Sequence, residues 1–170
     1  MRQSILRYFI SLLLVSLCIC SATSIFIISG SMKEDSERKM MYSVKLIEYN
    51  LDYSKDLNTQ IETLNPLAFS DDTRISVIDE KGKVLADTYK NDISSNHLKR
   101  EEVQQALHSS NHEGYAMRRS ETTNQPLLYA AYYKDNHIIR LSIPYSGVWG
   151  YFPKLAPALA ISILISILFS

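Results

Sequence analysis

The chain has 170 residues, length for one ordinary domain and little more. Hydrophobic residues make up 46% and charged residues 21%, and 18 Lys and Arg balance 18 Asp and Glu. That zero net charge argues against a nucleic-acid binder, which usually carries a basic surplus, and excludes an acidic disordered tail.

The charges are segregated along the chain. All 18 acidic residues lie between Glu34 and Asp135, and 16 of the 18 basic residues lie between Lys33 and Lys154. Tyr8 to Met32 is 25 residues without a charge, and Leu155 to Ser170 is another 16. The pattern predicts a cytoplasmic tail over 1–7, a transmembrane helix over 8–30, an extracytoplasmic domain over 31–154 and a second transmembrane helix over 155–170.

The first apolar stretch is long enough to span a bilayer core, which needs about 20 helical residues. A cleaved signal peptide is the rival reading, since Arg2 and Arg7 form a basic start and Ser21-Ala22-Thr23 offers a weak cleavage site. An uncleaved anchor fits the length of the apolar core better. Arg2 and Arg7 then hold the N-terminus in the cytoplasm and send the central domain outward. Trp149, Tyr151, Phe152 and Lys154 suit the outer membrane interface, and Pro153 and Pro157 suit the first turn of a helix. Leu155 to Ser170 gives only about 24 Å of helix, short of a span. That end reads as truncated, in a fragment of a longer protein or a gene cut short. Cys18 and Cys20 both fall in the first helix, so the exported domain has no internal disulfide.

Lys33 to about Leu64 reads as one long helix with no Gly or Pro. Met40, Val44, Ile47 and Leu51 recur at helical spacing, followed by Leu57, Ile61 and Leu64. This face either packs on the domain's own sheet or forms a parallel seam between two subunits. Asn65-Pro66 closes the helix, because the residue before proline is pushed from helical dihedrals. The sheet domain occupies 74–143. The stretch Arg74 to Asp87 is a hairpin: Ile75 and Val77 alternate with Ser76, Asp79-Glu80-Lys81-Gly82 is its turn and Lys83 to Asp87 the partner strand. Asn91 to Asn96 is a polar connector. Lys99 to His108 is a short helix with Glu101 and Glu102 in its first turn. Strands follow at about Gly114–Arg119, Leu127–Lys134 and His137–Ile143, the last two joined by the turn Lys134-Asp135-Asn136-His137. In the last strand Ile139, Leu141 and Ile143 alternate with Ile138, Arg140 and Ser142, which predicts one buried face. The expected fold is α+β: an antiparallel sheet of about five strands with a long N-terminal helix, helices on one face and flanking transmembrane helices.

The hairpin Arg74-Ile-Ser-Val-Ile-Asp-Glu-Lys-Gly-Lys-Val-Leu-Ala-Asp87 resembles the opening of PAS-like extracytoplasmic domains in bacterial two-component sensor histidine kinases. Asn96-His-Leu-Lys-Arg-Glu-Glu-Val103, Arg119-Ser-Glu-Thr122, Leu128-Tyr-Ala-Ala131 and Arg140-Leu-Ser-Ile-Pro144 are similar to later blocks, most of all in the phosphate-regulon type. The resemblance covers most of the chain from the first span to the second. It implies a homodimeric membrane receptor that passes an external signal from a small molecule or partner protein to a kinase inside. The chain departs from the family in lacking the kinase core: no ATP and magnesium site, and no phospho-accepting histidine on a cytoplasmic helix. A response regulator would be reached only through that missing part. Heading a chemoreceptor or a cyclic-dinucleotide enzyme, or standing alone as a membrane-anchored binding protein, are the alternatives.

No cofactor and no catalytic site is expected in these residues. No glycine-rich phosphate loop occurs. His108 and His112 are four apart, but Ser109-Ser110-Asn111 reads as a helix end, so surface histidines are expected rather than metal ligands. Asp71-Asp72 reads as a solvated turn. Arg118, Arg119 and Arg140, with Tyr129, Tyr132 and Tyr133, are candidates for a pocket holding an anionic ligand. The alternative is that these arginines sit on edge strands facing water.

Overall fold

The computed structural model describes residues 2–65, 72–89, 96–120 and 124–168. Pro66, Asp71, the connector from Asn91 to Ser95, and Glu121 and Thr122 of one similarity block lie outside the described residues. Two compact units emerge, Asp35–Tyr145 and a second made of Met1–Glu34 with Ser146–Ser170. The elements run α1 (Arg2–Asn50), α2 (Leu57–Leu64), β1 (Arg74–Asp79), β2 (Val84–Asp87), α3 (Glu101–His108), β3 (Glu113–Arg119), β4 (Pro126–Lys134), β5 (His137–Pro144), a 3-10 turn (Gly147–Tyr151) and α4 (Phe152–Leu168).

The larger unit is built on one antiparallel sheet in the order β2-β1-β5-β4-β3. Two tight turns set its register. At the β1–β2 turn the Asp79 carboxylate accepts from the Lys81 and Lys83 amides (2.9 and 2.8 Å), and Gly82 takes φ +81°. A Cβ at Gly82 would also collide with the Leu98 amide, so two constraints select glycine there. Between β4 and β5, Asp135 and Asn136 both take positive φ, the two-residue turn whose twist matches the strands.

The sheet carries helices on both faces, not on one. Met40, Val44 and Ile47 of α1 and Ile61 of α2 pack with Ile75, Val77, Ile139, Leu141 and Ile143. Val103 and Ala106 of α3 pack on the other face with Ile78, Val84, Ala131 and Ile138. Ile138 to Ile143 are therefore all buried, and β5 is the central strand. This differs from the single buried face that alternation along β5 predicts, because α3 covers the second side of the strand as α1 covers the first. Arg140 is not an edge residue in water.

Met40, Val44 and Ile47, the suggested subunit seam, are instead given to the chain's own core, with Leu51 packed at its margin. Two ion pairs reinforce the docking of α1: Lys45 to Glu113 (2.6 Å) and Glu48 to Lys134 (2.8 Å).

The expected single helix over 33–64 is broken at Leu51–Asp56. Side chains compete with the helical ladder throughout this stretch. Asn50 Nδ2 donates to the Leu46 carbonyl (2.7 Å), Asp52 accepts from the Ser54 amide (3.0 Å), and Gln60 both donates to and accepts from the Asp52 backbone at 2.8 Å. Asp56 then caps α2 by accepting from the Thr59 amide (2.9 Å). Asn65 keeps helical dihedrals (φ −54°, ψ −37°) although Pro66 follows, so the proline disfavours that conformation without excluding it.

In the smaller unit, the apolar N-terminal part of α1 leaves large side chains such as Phe9, Leu12 and Phe26 exposed. Among the described residues α1 is the one helix long and apolar enough to cross a membrane. Helix α4 is described over 17 residues and begins at Phe152, so Pro157 lies inside it rather than in its first turn. Trp149 and Phe152 stack at 5.1 Å, and the Lys154 ammonium lies 5.6 Å from the Tyr151 ring centre.

Leu141 contacts the core on the α1 face and is fully buried. Leu141→Ala should lower unfolding stability by about 2–5 kcal/mol in a denaturant titration. Leu85, only partly buried, should lose clearly less on the same change.

Candidate functional site

The register of the sheet builds a polar patch on the α3 face. Arg74 and Ser76 alternate with Ile75 and Val77 on β1, and Arg140 and Ser142 alternate with Leu141 and Ile143 on β5. Pairing sets Ser76 beside Arg140, and Arg140 beside Ala131, which in turn pairs with Gly114. This row holds one long side chain among small ones. The next row runs Arg74, Ser142, Tyr129 and Ala116.

Gly114 lets α3 approach closely. A Cβ there would collide with the Glu102 carbonyl and come within 2.8 Å of the Ala106 amide nitrogen. The approach carries Glu102, a fully buried acid, onto the patch. Arg118 grips it with two nitrogens, Nη1 to Oε2 at 2.6 Å and Nη2 to Oε1 at 2.9 Å. The Arg118 guanidinium also stacks 3.6 Å from the Tyr129 ring centre. Arg140, 3% exposed, reaches Glu102 Oε1 only at 3.7 Å and donates to Ser76 Oγ at 3.0 Å. The Ser76 hydroxyl in turn donates a hydrogen bond to Asp87 Oδ2 (2.8 Å), and Arg74 holds that carboxylate through Nε and Nη2, both at 2.9 Å. The network thus joins β2, β1, β5, α3 and β3 in one chain of charged and hydroxyl groups.

Burial acts most strongly on Glu102 and pushes its carboxyl upward. The hydrogen bonds and charge of Arg118, with the charge of Arg140, outweigh that and hold it below its ordinary value. Burial likewise pulls Arg118 down, and its bonds to Glu102 leave it net raised. Arg140 is different. Burial is its largest influence, Glu102 compensates incompletely, and its guanidinium falls to about 10 while remaining charged at neutral pH.

Of the residues suggested as a pocket, the structure brings Arg118, Tyr129 and Arg140 together. Tyr132 lies on the α1 face, 5.1 Å from the Lys45 ammonium. Arg119 is exposed and donates to the Asn124 carbonyl (3.1 Å), and Tyr133 packs at the margin of the α3 core. Glu102, Ser76 and Asp87 were missed. The signal was present in the matching polar alternation of β1 and β5, which marks one face of two paired strands as polar. His108 and His112 are exposed, and α3 ends at His108. Among the described residues no three His, Cys, Asp or Glu side chains gather as a metal site.

No family profile matches the chain. No curated protein matches it. Solved structures do. The Bacillus subtilis protein YkuI, with an EAL domain and bound to substrate c-di-GMP and calcium, is similar at a TM-score of 0.52 and 16% identity, over 78% of this chain and 37% of that one. The sensory domain of the Campylobacter jejuni chemoreceptor Tlp3, with isoleucine bound, is similar at 0.51 and 18% identity, over 77% of this chain and 61% of that one. The extracellular domain of a histidine kinase scores 0.40 at 14% identity, over 49% of this chain and 35% of that one, and carries no weight. The chain thus spans between 37% and 61% of the length of the YkuI and Tlp3 chains. What they share with it is the fold alone, which in this chain is an α+β architecture with a long N-terminal helix and a five-stranded antiparallel sheet.

Glu102→Gln should lower stability at neutral pH by about 1.5–3 kcal/mol, the value of a hydrogen-bonded charge, since Arg118 keeps some contact with water. Glu101→Gln, on the exposed side of α3, should stay within about 0.5 kcal/mol. Because the folded pKa of Glu102 lies below the unfolded value near 4.5, its contribution is complete above that pH. It is lost as pH falls through the folded value. In acid titrations of unfolding, the gap between wild type and Glu102→Gln should therefore close below about pH 4.5.

Proposed function

We infer that the chain is the extracytoplasmic sensory and transmembrane signalling module of a two-component sensor histidine kinase, of the phosphate-regulon type. The observation that carries this reading is a sensory-domain fold whose first helix also contains the apolar, charge-free stretch Tyr8–Met32. The module sits in a bacterial cell membrane, contacts lipid through two spans, and holds its sheet domain outside. It takes no cofactor of its own, has no catalytic residue, and binds no nucleic acid. ATP, magnesium and the response regulator belong to a kinase core beyond the second span.

The ligand face is the patch of Arg118, Tyr129 and Arg140, closed by Glu102. A small molecule or a partner protein that changes this network changes the packing of five elements at once. Such a domain signals by shifting its membrane helices relative to one another by about 1–2 Å. The ligand can bias them only by its differential affinity for the two states, typically about 1–3 kcal/mol. The subunits meet as a homodimer along the outward side of α1. Tyr42 and Tyr49 are 72% and 82% exposed there, and Leu46 lies between them at helical spacing. The likeness to Tlp3 and to YkuI supports a second reading, the same module joined to a chemoreceptor or a cyclic-dinucleotide enzyme. Coding sequence downstream that carries kinase motifs, a methyl-accepting coiled coil or an EAL-type domain distinguishes the two.

Topology is tested with cysteine chemistry. In a chain with Cys18 and Cys20 replaced by alanine, a cysteine at the exposed Lys81 should react with a membrane-impermeant maleimide in intact cells. Labelling only after lysis would place the sheet domain inside and end this reading.

A further inference from the structure

We propose that Arg140 anchors a site for one small monovalent anion, a halide or the carboxylate of a small organic acid, beside Ser76, Ser142 and the Tyr129 ring. The proposal rests on reading this face as the sensory site, and it names the class of ligand the face takes. Two guanidiniums, Arg118 and Arg140, share a single carboxylate, Glu102. Arg118 takes both oxygens of that carboxylate in short bonds, and Arg140 is left at 3.7 Å, beyond hydrogen-bond reach. One Arg140 nitrogen donates to the Ser76 hydroxyl, a neutral acceptor. Its Nε is buried and has no acceptor among the described residues. Glu102 at 3.7 Å and Asp87 behind Ser76 compensate the buried guanidinium only in part, because Arg118 and Arg74 hold those carboxylates. A buried charge so compensated is costly, and a buried N–H without an acceptor adds to that cost. One monovalent anion at Arg140 would remove both defects and bring the trio of Arg118, Arg140 and Glu102 to neutrality.

The surroundings favour a small ion. Ala131 pairs directly with Arg140 across β4, so no large side chain from the neighbouring strand competes for the space beside the guanidinium in that row, while Gly114 beyond it is covered by the α3 backbone. Ser142, two residues along β5 on the same face, is a buried hydroxyl able to donate to the anion. The Tyr129 ring centre lies 5.8 Å from the guanidinium carbon and walls one side. A dianion would overcompensate the trio and need more dehydration than these few donors can replace.

The test uses the full chain in lipid nanodiscs with 15N-labelled arginine. The Arg140 Nε–H resonance is followed while sodium formate or sodium chloride replaces sodium sulfate at constant ionic strength. The expected result is a saturable downfield shift across the millimolar range, with a matching rise in thermal midpoint that Arg140→Met abolishes and Lys83→Met, at an exposed cation, retains. Saturation by both salts marks a general monoanion site, and saturation by formate alone marks a carboxylate site. A resonance that stays fixed, or that moves equally in sulfate, overturns the proposal, and it is read on the wild-type chain even if Arg140→Met does not fold. A resonance that responds while a fused output domain ignores the anion keeps the site and removes the sensory role of this face. An output that responds to some other ligand while the resonance stays fixed does the reverse.

Discussion

The arrangement turns on one buried carboxylate. Glu102 lies under α3 with no exposure to water, and an acid in that position is tolerated only when its oxygens are satisfied by a fixed cation. Arg118 supplies that cation from β3, the edge strand. The requirement explains several otherwise unrelated residues. Gly114 lets the helix backbone reach the sheet, Ala131 and Ser76 keep the adjoining row small, and Tyr129 gives the guanidinium a ring to lie on. Helix α3 is only eight residues and its first turn has no side-chain cap, so propensity alone would not hold it. Its attachment comes from Val103 and Ala106 on the apolar half of the face and from Glu102 on the polar half.

The opposite face is apolar and belongs to α1. There Met40, Val44 and Ile47 close the core, while Lys45 and Glu48 reach the edge of the sheet through ion pairs. Such pairs contribute modestly where they meet water, so the apolar seam carries most of the attachment. The central strands β1 and β5 lie between the two faces, one polar in part and one oily throughout. A change in the Arg140 network therefore acts on strands whose other side is the seat of α1. That is the physical route by which an event at the arginines can reach a helix that continues into the apolar N-terminal stretch.

Much of the strand and turn structure was legible in the sequence because turn chemistry is local. Gly82 after Asp79, and Asp135-Asn136 between two alternating runs, specify their dihedrals without help from distant residues. The break after Asn50 was legible as well, through Asp52, Ser54 and Asp56, but was hidden by the absence of Gly and Pro, the stronger breakers. What could not be read along the chain was the partner of each face. Whether Met40 to Ile47 meets a sheet or a second subunit, and whether Arg140 meets water or Glu102, depends on contacts between residues far apart in sequence. Arg140 and Ser76 are separated by 64 positions, and Arg118 and Glu102 by 16 across a helix and a strand. Polar residues at matched alternate positions of β1 and β5 were the one sign that a second face was also in use.

The central claim is that the state of the Glu102–Arg118 network is felt by α1. It is tested most directly by disulfide cross-linking in native membranes, with single cysteines placed from Met40 to Asn50 on a background free of Cys18 and Cys20. The account predicts strong cross-links at positions 42, 46 and 49 and weak ones at 40, 44 and 47. It also predicts that Glu102→Gln redistributes the strong set without abolishing it. Identical profiles in the two proteins, or a maximum at Met40 and Val44, would contradict it.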